Sequence, residues 1–167
     1  MTENRLDNPK LVKLDRMRYA KNALSSRLTY LGILFNVLYF VSIYESDVGS
    51  WYYSITIGAS IVYNLVFMLM TFLASEGVKN YKMGYSVLLL VAGALQVGRI
   101  FYLPMQAYQA TVTIRKVTYP VMEPAQLTWV IVCLSLSALC CLAAGLIGVI
   151  RSRSLAAYNA SLSENAA

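Results

Sequence analysis

Four apolar stretches, each about long enough to cross a lipid bilayer, constrain this chain more than any other feature of its sequence. They cover residues 28–44, 51–73, 84–103 and 127–150. A hydrocarbon core about 30 Å thick takes about 20 helical residues per crossing. Because the chain has 167 residues, the four stretches leave room only for short connections. The sequence therefore predicts an all-α integral membrane protein built as a bundle of four transmembrane helices.

The composition agrees with a membrane-embedded chain. Hydrophobic residues make up 58% of the sequence and charged residues 13%, and the mean hydropathy is +0.56, which is typical of membrane proteins. The first 27 residues are polar and basic, unlike the apolar core of a secretory signal. We therefore expect a basic N-terminal segment at 1–27, a four-helix transmembrane domain at 28–150 and a tail at 151–167.

The basic residues predict the orientation of the spans. Cytoplasmic loops carry an excess of Lys and Arg. The loop at 45–50 has neither residue type, and the loop at 104–126 has only Arg115 and Lys116. Both termini are therefore predicted to be cytoplasmic, in a protein integral to the cell membrane. Eleven of the fourteen Lys and Arg lie in the N-terminal segment (Arg5, Lys10, Lys13, Arg16, Arg18, Lys21, Arg27), the inner loop (Lys79, Lys82) or the tail (Arg151, Arg153).

The net charge of +6 would suggest nucleic-acid binding in a soluble protein. Here the basic residues flank the spans, so orientation explains them and no nucleic-acid partner is predicted. The N-terminal segment has Asn8 as a helix cap and Pro9 at the first helical position, which indicates a short basic helix. Its partner is either anionic lipid at the membrane surface or a cytoplasmic protein, and the sequence leaves both open.

The loop at 104–126 is the largest predicted external piece. Its sequence AYQATVTIRKVTYPV alternates small polar with β-branched residues, as strands do. We expect a short β-hairpin with Arg115 and Lys116 at its centre, although that pair is not the Asn-Gly type favoured in tight hairpins. The loop is either an external contact surface or an ordinary connector.

Two asparagines are predicted to meet inside the membrane. Asn36 lies near the middle of the first span and Asn64 a little past the middle of the second. Antiparallel neighbours joined by a short loop pack side by side, so we expect the two amides to hydrogen-bond across the helices. They serve either as structural contacts or as the lining of a polar path.

Arg99 is the only full charge within the four spans. Gln96 lies three residues before it, on the same helical face. A charge at mid-membrane costs at least about 2.5 kcal/mol. We therefore expect Arg99 to extend outward or to pair with a neighbouring group such as Glu45, Asp47 or Glu123; the alternative is that it forms a site for an anion or lipid headgroup near the outer leaflet.

Small residues on two spans predict close helix packing. They lie at helical spacing, and small side chains let the backbones of membrane helices approach each other. The surface they form is either internal packing of the bundle or an interface with a second chain. The fourth span carries Ser137, Cys141, Ala144 or Gly145, and Gly148, and the third span carries Ala94 and Gly98.

The sequence offers little for catalysis or metal binding. It has no histidine, its three cysteines all lie in the fourth span, and no span contains Asp or Glu. Four-helix multidrug exporters depend on a membrane-embedded glutamate, and claudin-like proteins on paired external cysteines, so neither matches. No phosphate-binding glycine loop, metalloprotease or hydrolase motif is present. We predict no cofactor, no metal and no catalytic residue.

The function predicted from this pattern is that of a non-enzymatic subunit in a larger membrane complex. A transport system such as an ABC-type transporter is the specific expectation, with membrane lipids and other integral membrane subunits as partners. The alternative is a homo-oligomeric transporter or channel that uses Asn36, Asn64, Gln96 and Arg99 as a polar pathway. A third hypothesis is a membrane enzyme acting on lipid.

Overall fold

The computed structural model of this chain describes residues 9–43, 51–114, 116–120 and 122–164. These residues are mostly helical, with one pair of short strands. In chain order the elements are α1 (Pro9–Tyr19), α2 (Ala23–Ile43), α3 (Trp51–Lys79), α4 (Met83–Ile100), α5 (Leu103–Gln109), β1 (Thr111–Ile114), β2 (Val117–Pro120) and α6 (Pro124–Glu164).

Four segments are long and apolar enough to cross a membrane, as the sequence predicted. They are Ala23–Ile43, Gly58–Lys79, Met83–Gln109 and Pro124–Glu164. Each predicted span falls largely within one of these helices. The protein is therefore a mostly helical chain whose four long helices suit a membrane environment.

The four long helices pack as neighbours in the order α2, α3, α4, α6 and back to α2. The contacts of α6 with α2 and α4 are the most extensive, and those between α3 and α4 are the least. We call the end of the bundle that contains Asn22, Lys79 and Arg151 the basic end. The opposite end, where β1 and β2 lie, is the hairpin end. The weak packing between α3 and α4 matters for the site described below.

Polar and small side chains share the interior of the bundle with buried apolar residues such as Leu89, Leu134 and Phe67, and many large apolar side chains face outward. Leu34, Leu65, Leu95 and Leu139 each expose more than half of their surface. Lipid tails are as apolar as leucine, so hydrophobic contact alone does not join such helices. Hydrogen bonds and close backbone approach do so instead. The buried polar residues include Ser25, Ser26, Thr29, Ser75, Ser86 and Ser137.

The small residues of α6 pack inside the chain. Ser137, Cys141, Ala144, Gly145 and Gly148 are all buried. The Ser137 hydroxyl donates to the carbonyl oxygen of Gly32 on α2, at 2.8 Å. A Cβ atom added at Gly145 would lie 2.9 Å from the carbonyl oxygen of Ser86 on α4. This stripe therefore allows α6 to lie close to both neighbouring helices.

Two helix boundaries differ from the predicted ones. Helix α1 ends at Tyr19 and α2 begins at Ala23, so residues 23–27 belong to the first long helix. Asn22 precedes that helix, and its backbone N–H donates to the carbonyl oxygen of Lys79 at 2.9 Å. At the other terminus the predicted tail continues α6 as far as Glu164. Residues 151–164 contain neither Pro nor Gly, so nothing in the sequence stops the helix.

The hairpin end contains a short helix and two paired strands between α4 and α6. In α5, Leu103 and Ala107 are buried in a cluster with Met122 and α6 residues. Strands β1 and β2 pair antiparallel, with Thr111 opposite Pro120. Between them Lys116 has a φ of 68°. Five residues named in the sequence analysis, Arg5, Asn8, Glu45, Asp47 and Arg115, lie outside the described residues.

Candidate functional site

Six side chains from three helices surround Arg99 near the hairpin end of the bundle. Helical periodicity explains how they come together, because residues three or four apart share one face. Arg99 itself lies sixteen residues into α4, which is about 24 Å from that helix's start. We call the group the Arg99 cluster: Asn36 and Tyr39 on α2, Ser60, Tyr63 and Asn64 on α3, and Gln96 and Arg99 on α4.

The guanidinium of Arg99 is hydrogen-bonded to α3. Its Nη1 donates to Oδ1 of Asn64 at 2.8 Å, and its Nη2 donates to Oγ of Ser60 at 2.6 Å. Asn64 is fixed in turn, because its Nδ2 donates to the carbonyl oxygen of Ser60 at 3.0 Å. These bonds join α3 to α4, the pair of neighbouring long helices with the least extensive packing.

Two tyrosine rings lie next to the Arg99 guanidinium. Its carbon Cζ is 4.6 Å from the ring centre of Tyr39 and 4.7 Å from that of Tyr63. A cation near an aromatic face is stabilised by the ring quadrupole, more strongly where water is excluded. Arg99 exposes only 7% of its surface, so both contacts form in a largely desolvated site.

The predicted outward extension of Arg99 is wrong. The side chain is buried, and its partners are neutral groups of α2 and α3. Among the described residues the two ion pairs are Arg18 with Asp15 and Lys79 with Glu76, so the described Glu123 does not pair with Arg99. The physical reason is that Ser60 and Asn64 offer acceptors on the inner face. Among the described residues, the groups that solvate the cation are therefore neutral.

The predicted bond between Asn36 and Asn64 is also wrong. Asn36 accepts a hydrogen bond from Gln96 instead, with 2.8 Å between Nε2 and Oδ1. The Oδ1 atom of Asn64 is bonded to Arg99, and a bond from a charged donor is stronger than one between two amides. The four polar residues do lie in one region of the bundle, but their pairing differs from the prediction.

Several polar atoms in this region have no hydrogen-bond partner among the described residues. They are Nδ2 of Asn36, Oε1 of Gln96, the hydroxyl of Tyr63 and Nε of Arg99. Arginine has five N–H donors, and the two bonds to α3 use two of them. The cluster therefore retains hydrogen-bonding capacity, part of it on the cation.

A groove between α3 and α4 leads from the lateral surface of the bundle to Arg99. Its volume is about 500 Å³, within the range of about 300 to 1,000 Å³ typical of ligand sites. Ala94 and Gly98 lie on its exposed wall, so these small residues of α4, unlike those of α6, do not pack within the chain. The α3–α4 groove is lined by Ala59, Ser60, Tyr63, Ala94, Leu95, Gly98, Arg99, Tyr102 and Leu103.

A second set of hydrogen-bonded polar side chains lies at the basic end of the bundle. Arg151 on α6 donates from Nη1 to Oδ1 of Asn22, at 2.7 Å. Asn22 also donates from Nδ2 to Oγ of Ser25 at 2.9 Å, and the hydroxyls of Ser26 and Ser75 are 2.8 Å apart. These contacts link α2, α3 and α6 and have a structural role.

Sequence reasoning missed Ser60 and the tyrosines as parts of the site. Ser60 lies one helical turn before Asn64, so the spacing alone places it on the same face. Tyr39 likewise follows Asn36 by three residues. A search for polar or aromatic residues one turn from each predicted intramembrane amide would have found Ser60 and Tyr39, whereas Tyr63 directly precedes Asn64 in the sequence.

Fold and site together define a class of protein. The chain is mostly helical, with four helices long and apolar enough to span a membrane, and it holds a buried arginine among amide, hydroxyl and aromatic groups. The described residues contain no group of three or more His, Cys, Asp or Glu that could bind a metal ion. Compared with models of protein families, with curated proteins and with solved structures, the chain matches none of them.

Proposed function

We propose that the protein is a non-enzymatic subunit of a larger membrane complex, integral to the cell membrane, with both termini cytoplasmic. The observation that carries this proposal is that two helical segments contain no fully buried residue, although α1 contacts α6. They are α1 and the part of α6 beyond Ser152. A partner that covers them would account for both.

Helix α1 and the part of α6 after Ser152 bury little of their surface against the rest of the chain. No residue of α1 is buried, and no residue of α6 after Ser152 is buried. An isolated helix of about 12 residues is marginal in water, and α1 has 11. The 41 residues of α6 span about 62 Å, about twice the thickness of the hydrocarbon core. Contact with the surface of a partner protein would therefore stabilise both α1 and the end of α6.

The surface between α1 and α6 is basic, with a few apolar residues. A pocket of about 370 Å³ there is lined by Lys10, Lys13, Leu14, Met17, Ile150, Arg151 and Ser154. Opposite charge across an interface directs docking, so the partner surface is acidic and receives Leu14 and Met17. An ABC-type transport system is the specific complex proposed, because a chain without a phosphate-binding loop would depend on an energised partner.

The orientation follows from charge. Lys79, Lys82 and the tail arginines all belong to the basic end, together with α1. This arrangement supports a cytoplasmic basic end by the positive-inside rule. Single cysteines introduced at Ser163 and at Thr113, in a background without native cysteine, test it with a membrane-impermeant maleimide on intact cells. Labelling at 113 alone supports the orientation, and labelling at 163 contradicts it.

The experiment for the function is purification in mild detergent from the native host, combined with photo-crosslinking. A photoreactive residue at Met17 reports on the basic surface, and one at Leu139, which is 62% exposed on the bundle, is the control. We expect stoichiometric membrane proteins that crosslink to position 17. A homo-oligomer without other proteins would contradict the proposal.

A homo-oligomeric transporter or channel is the second candidate. The observation that favours it is the set of buried polar atoms without partners, which also includes Oγ of Ser86 and Oγ of Ser152. Such atoms are able to solvate a passing ion or water. Flux into liposomes that contain only this chain, lost on Asn64→Leu, would favour this function over the subunit.

A further inference from the structure

We propose that the α3–α4 groove binds an anionic phospholipid of the surrounding bilayer, with its phosphate at Arg99 and an acyl chain along α3 and α4. The proposal goes beyond the subunit function and does not depend on it, because the groove lies toward the hairpin end, away from α1. Its evidence is the charge of Arg99, the opening of the groove and the apolar continuation behind it.

The first step is the charge of Arg99. A buried cation is strongly disfavoured unless an anion balances it. Within the described residues its hydrogen-bond partners are the neutral Asn64 and Ser60, and Nε has no acceptor. Arginine binds phosphate oxygens through parallel N–H bonds. No carboxylate of the described residues bonds to Arg99, and its remaining donors suit an anion of the type that a phospholipid headgroup supplies.

The second step is access from the bilayer. The groove opens between two helices whose neighbouring residues, Val62, Leu65 and Leu95, are exposed and apolar, so its mouth faces lipid and not an aqueous loop. A Cβ atom added at Gly98 meets no atom within 4 Å. The absence of a side chain there leaves the path to Arg99 open.

The third step is the shape of the cavity beyond Arg99. A second pocket of about 150 Å³ continues along the same two helices and shares Tyr63 and Leu95 with the groove. It is lined by Tyr63, Val66, Phe67, Met70, Val91, Ala92 and Leu95. From Arg99 to Val91 is eight residues, or about 12 Å along α4. A ligand that fits both parts has an anionic head and an apolar chain.

The depth of the site agrees with a lipid in one leaflet. Arg99 is the residue before the end of α4 at Ile100, and the second pocket lies on the side toward the middle of the bundle. A phosphate at Arg99 therefore lies near the membrane boundary, and the chain points toward the bilayer centre. Tyr102, on the rim of the groove, is of the type enriched at that boundary.

The test is native mass spectrometry of the full chain in detergent, titrated with phosphatidylglycerol, with phosphatidylcholine of the same chains and with inorganic phosphate. We expect phosphatidylglycerol to bind at least about tenfold more tightly than phosphatidylcholine. Inorganic phosphate should not compete at matched concentration. Equal affinity for the two lipids, no lipid binding, or full competition by inorganic phosphate would overturn the proposal.

Two variants on α4 form the matched pair. Gly98→Leu places a large side chain in the groove that contains Arg99, and Gly84→Leu makes the same change at a position where a Cβ also meets no atom within 4 Å. We expect Gly98→Leu to weaken phosphatidylglycerol binding at least about tenfold, with unchanged unfolding in lipid-free detergent. Gly84→Leu should bind as the natural chain does. Unchanged binding by Gly98→Leu would overturn the proposal.

A charge variant separates headgroup recognition from apolar contact. Arg99→Met should abolish the preference for phosphatidylglycerol over phosphatidylcholine. If Arg99→Met does not fold, Arg99→Lys is the second variant, because it keeps the positive charge but lacks the planar guanidinium. Arg99→Lys should bind phosphatidylglycerol more weakly and still prefer it to phosphatidylcholine. A preference that survives in folded Arg99→Met, or a folded Arg99→Lys without it, would overturn the assignment of the headgroup to Arg99.

Discussion

Arg99 on α4 donates from Nη1 to Oδ1 of Asn64 on α3, at 2.8 Å. Ser60 completes a closed set of bonds, because it accepts from Nη2 of Arg99 through Oγ and from Nδ2 of Asn64 through its carbonyl oxygen. This set joins two helices that otherwise pack loosely. A polar contact, and not a tight apolar seam, therefore holds α3 against α4 near the groove.

Close packing of α6 against α4 predicts a position-specific cost of substitution. At Gly145 a Cβ would lie 2.8 Å from Cγ of Leu90 and 2.9 Å from the carbonyl oxygen of Ser86. Gly145→Val should lower the free energy of unfolding by about 1 to 3 kcal/mol. Gly84→Val, in open space on α4, should change it by less than about 0.5 kcal/mol. Detergent-based unfolding followed by circular dichroism measures both, and equal effects would refute the close approach.

The turn between α3 and α4 predicts a stabilising substitution. Tyr81 has a φ of 57°, and Lys82 N–H donates to the carbonyl oxygen of Gly77, as in a Schellman cap. Residues with a Cβ disfavour this conformation by about 1 kcal/mol or more, so Tyr81→Gly should raise the free energy of unfolding by about that amount. Lys82→Gly, at a φ of −75°, should not. A decrease for Tyr81→Gly would count against the cap.

The basic end predicts a loss of stability when its central amide is removed. Asn22 accepts from Arg151 and donates to Ser25, so Asn22→Ala breaks both bonds. We expect a loss of about 1 to 3 kcal/mol in the free energy of unfolding. Arg153→Met, on the exposed side of the same helix, should stay within about 0.5 kcal/mol. If the two substitutions prove equivalent, the contact between α2 and α6 is not structural.

The helices themselves were predictable from the sequence. An apolar stretch that crosses a bilayer does so as a helix, because hydrocarbon offers no partners for backbone N–H and C=O groups. That constraint is local, so it fixes the number and approximate limits of the spans. The shared face of Gln96 and Arg99 was predictable for the same reason, since it needs only helical periodicity.

The pairing of side chains was not predictable in the same way. It depends on how each helix is rotated and on how far a side chain reaches. Gln96 donates a hydrogen bond to Asn36. Arg99 donates to Oδ1 of Asn64, which had been expected to bond to Asn36. Rotation also explains why Ser137 packs against α2 while Gly98, in a similar small-residue pattern, stays exposed. The spacing of small residues along a helix does not show whether they face the interior of the bundle or its surface.

The coupling energy between Arg99 and Asn64 is the most direct test of this account, in which a buried polar cluster holds α3 to α4. A double-mutant cycle with Arg99→Met and Asn64→Leu measures it from unfolding in mixed micelles. The control cycle replaces Asn64→Leu with Thr71→Val, because Thr71 donates to its own helix at Phe67. We predict a coupling of about 1 to 3 kcal/mol for the first cycle and less than about 0.5 kcal/mol for the control. Additive effects of Arg99→Met and Asn64→Leu would contradict the account.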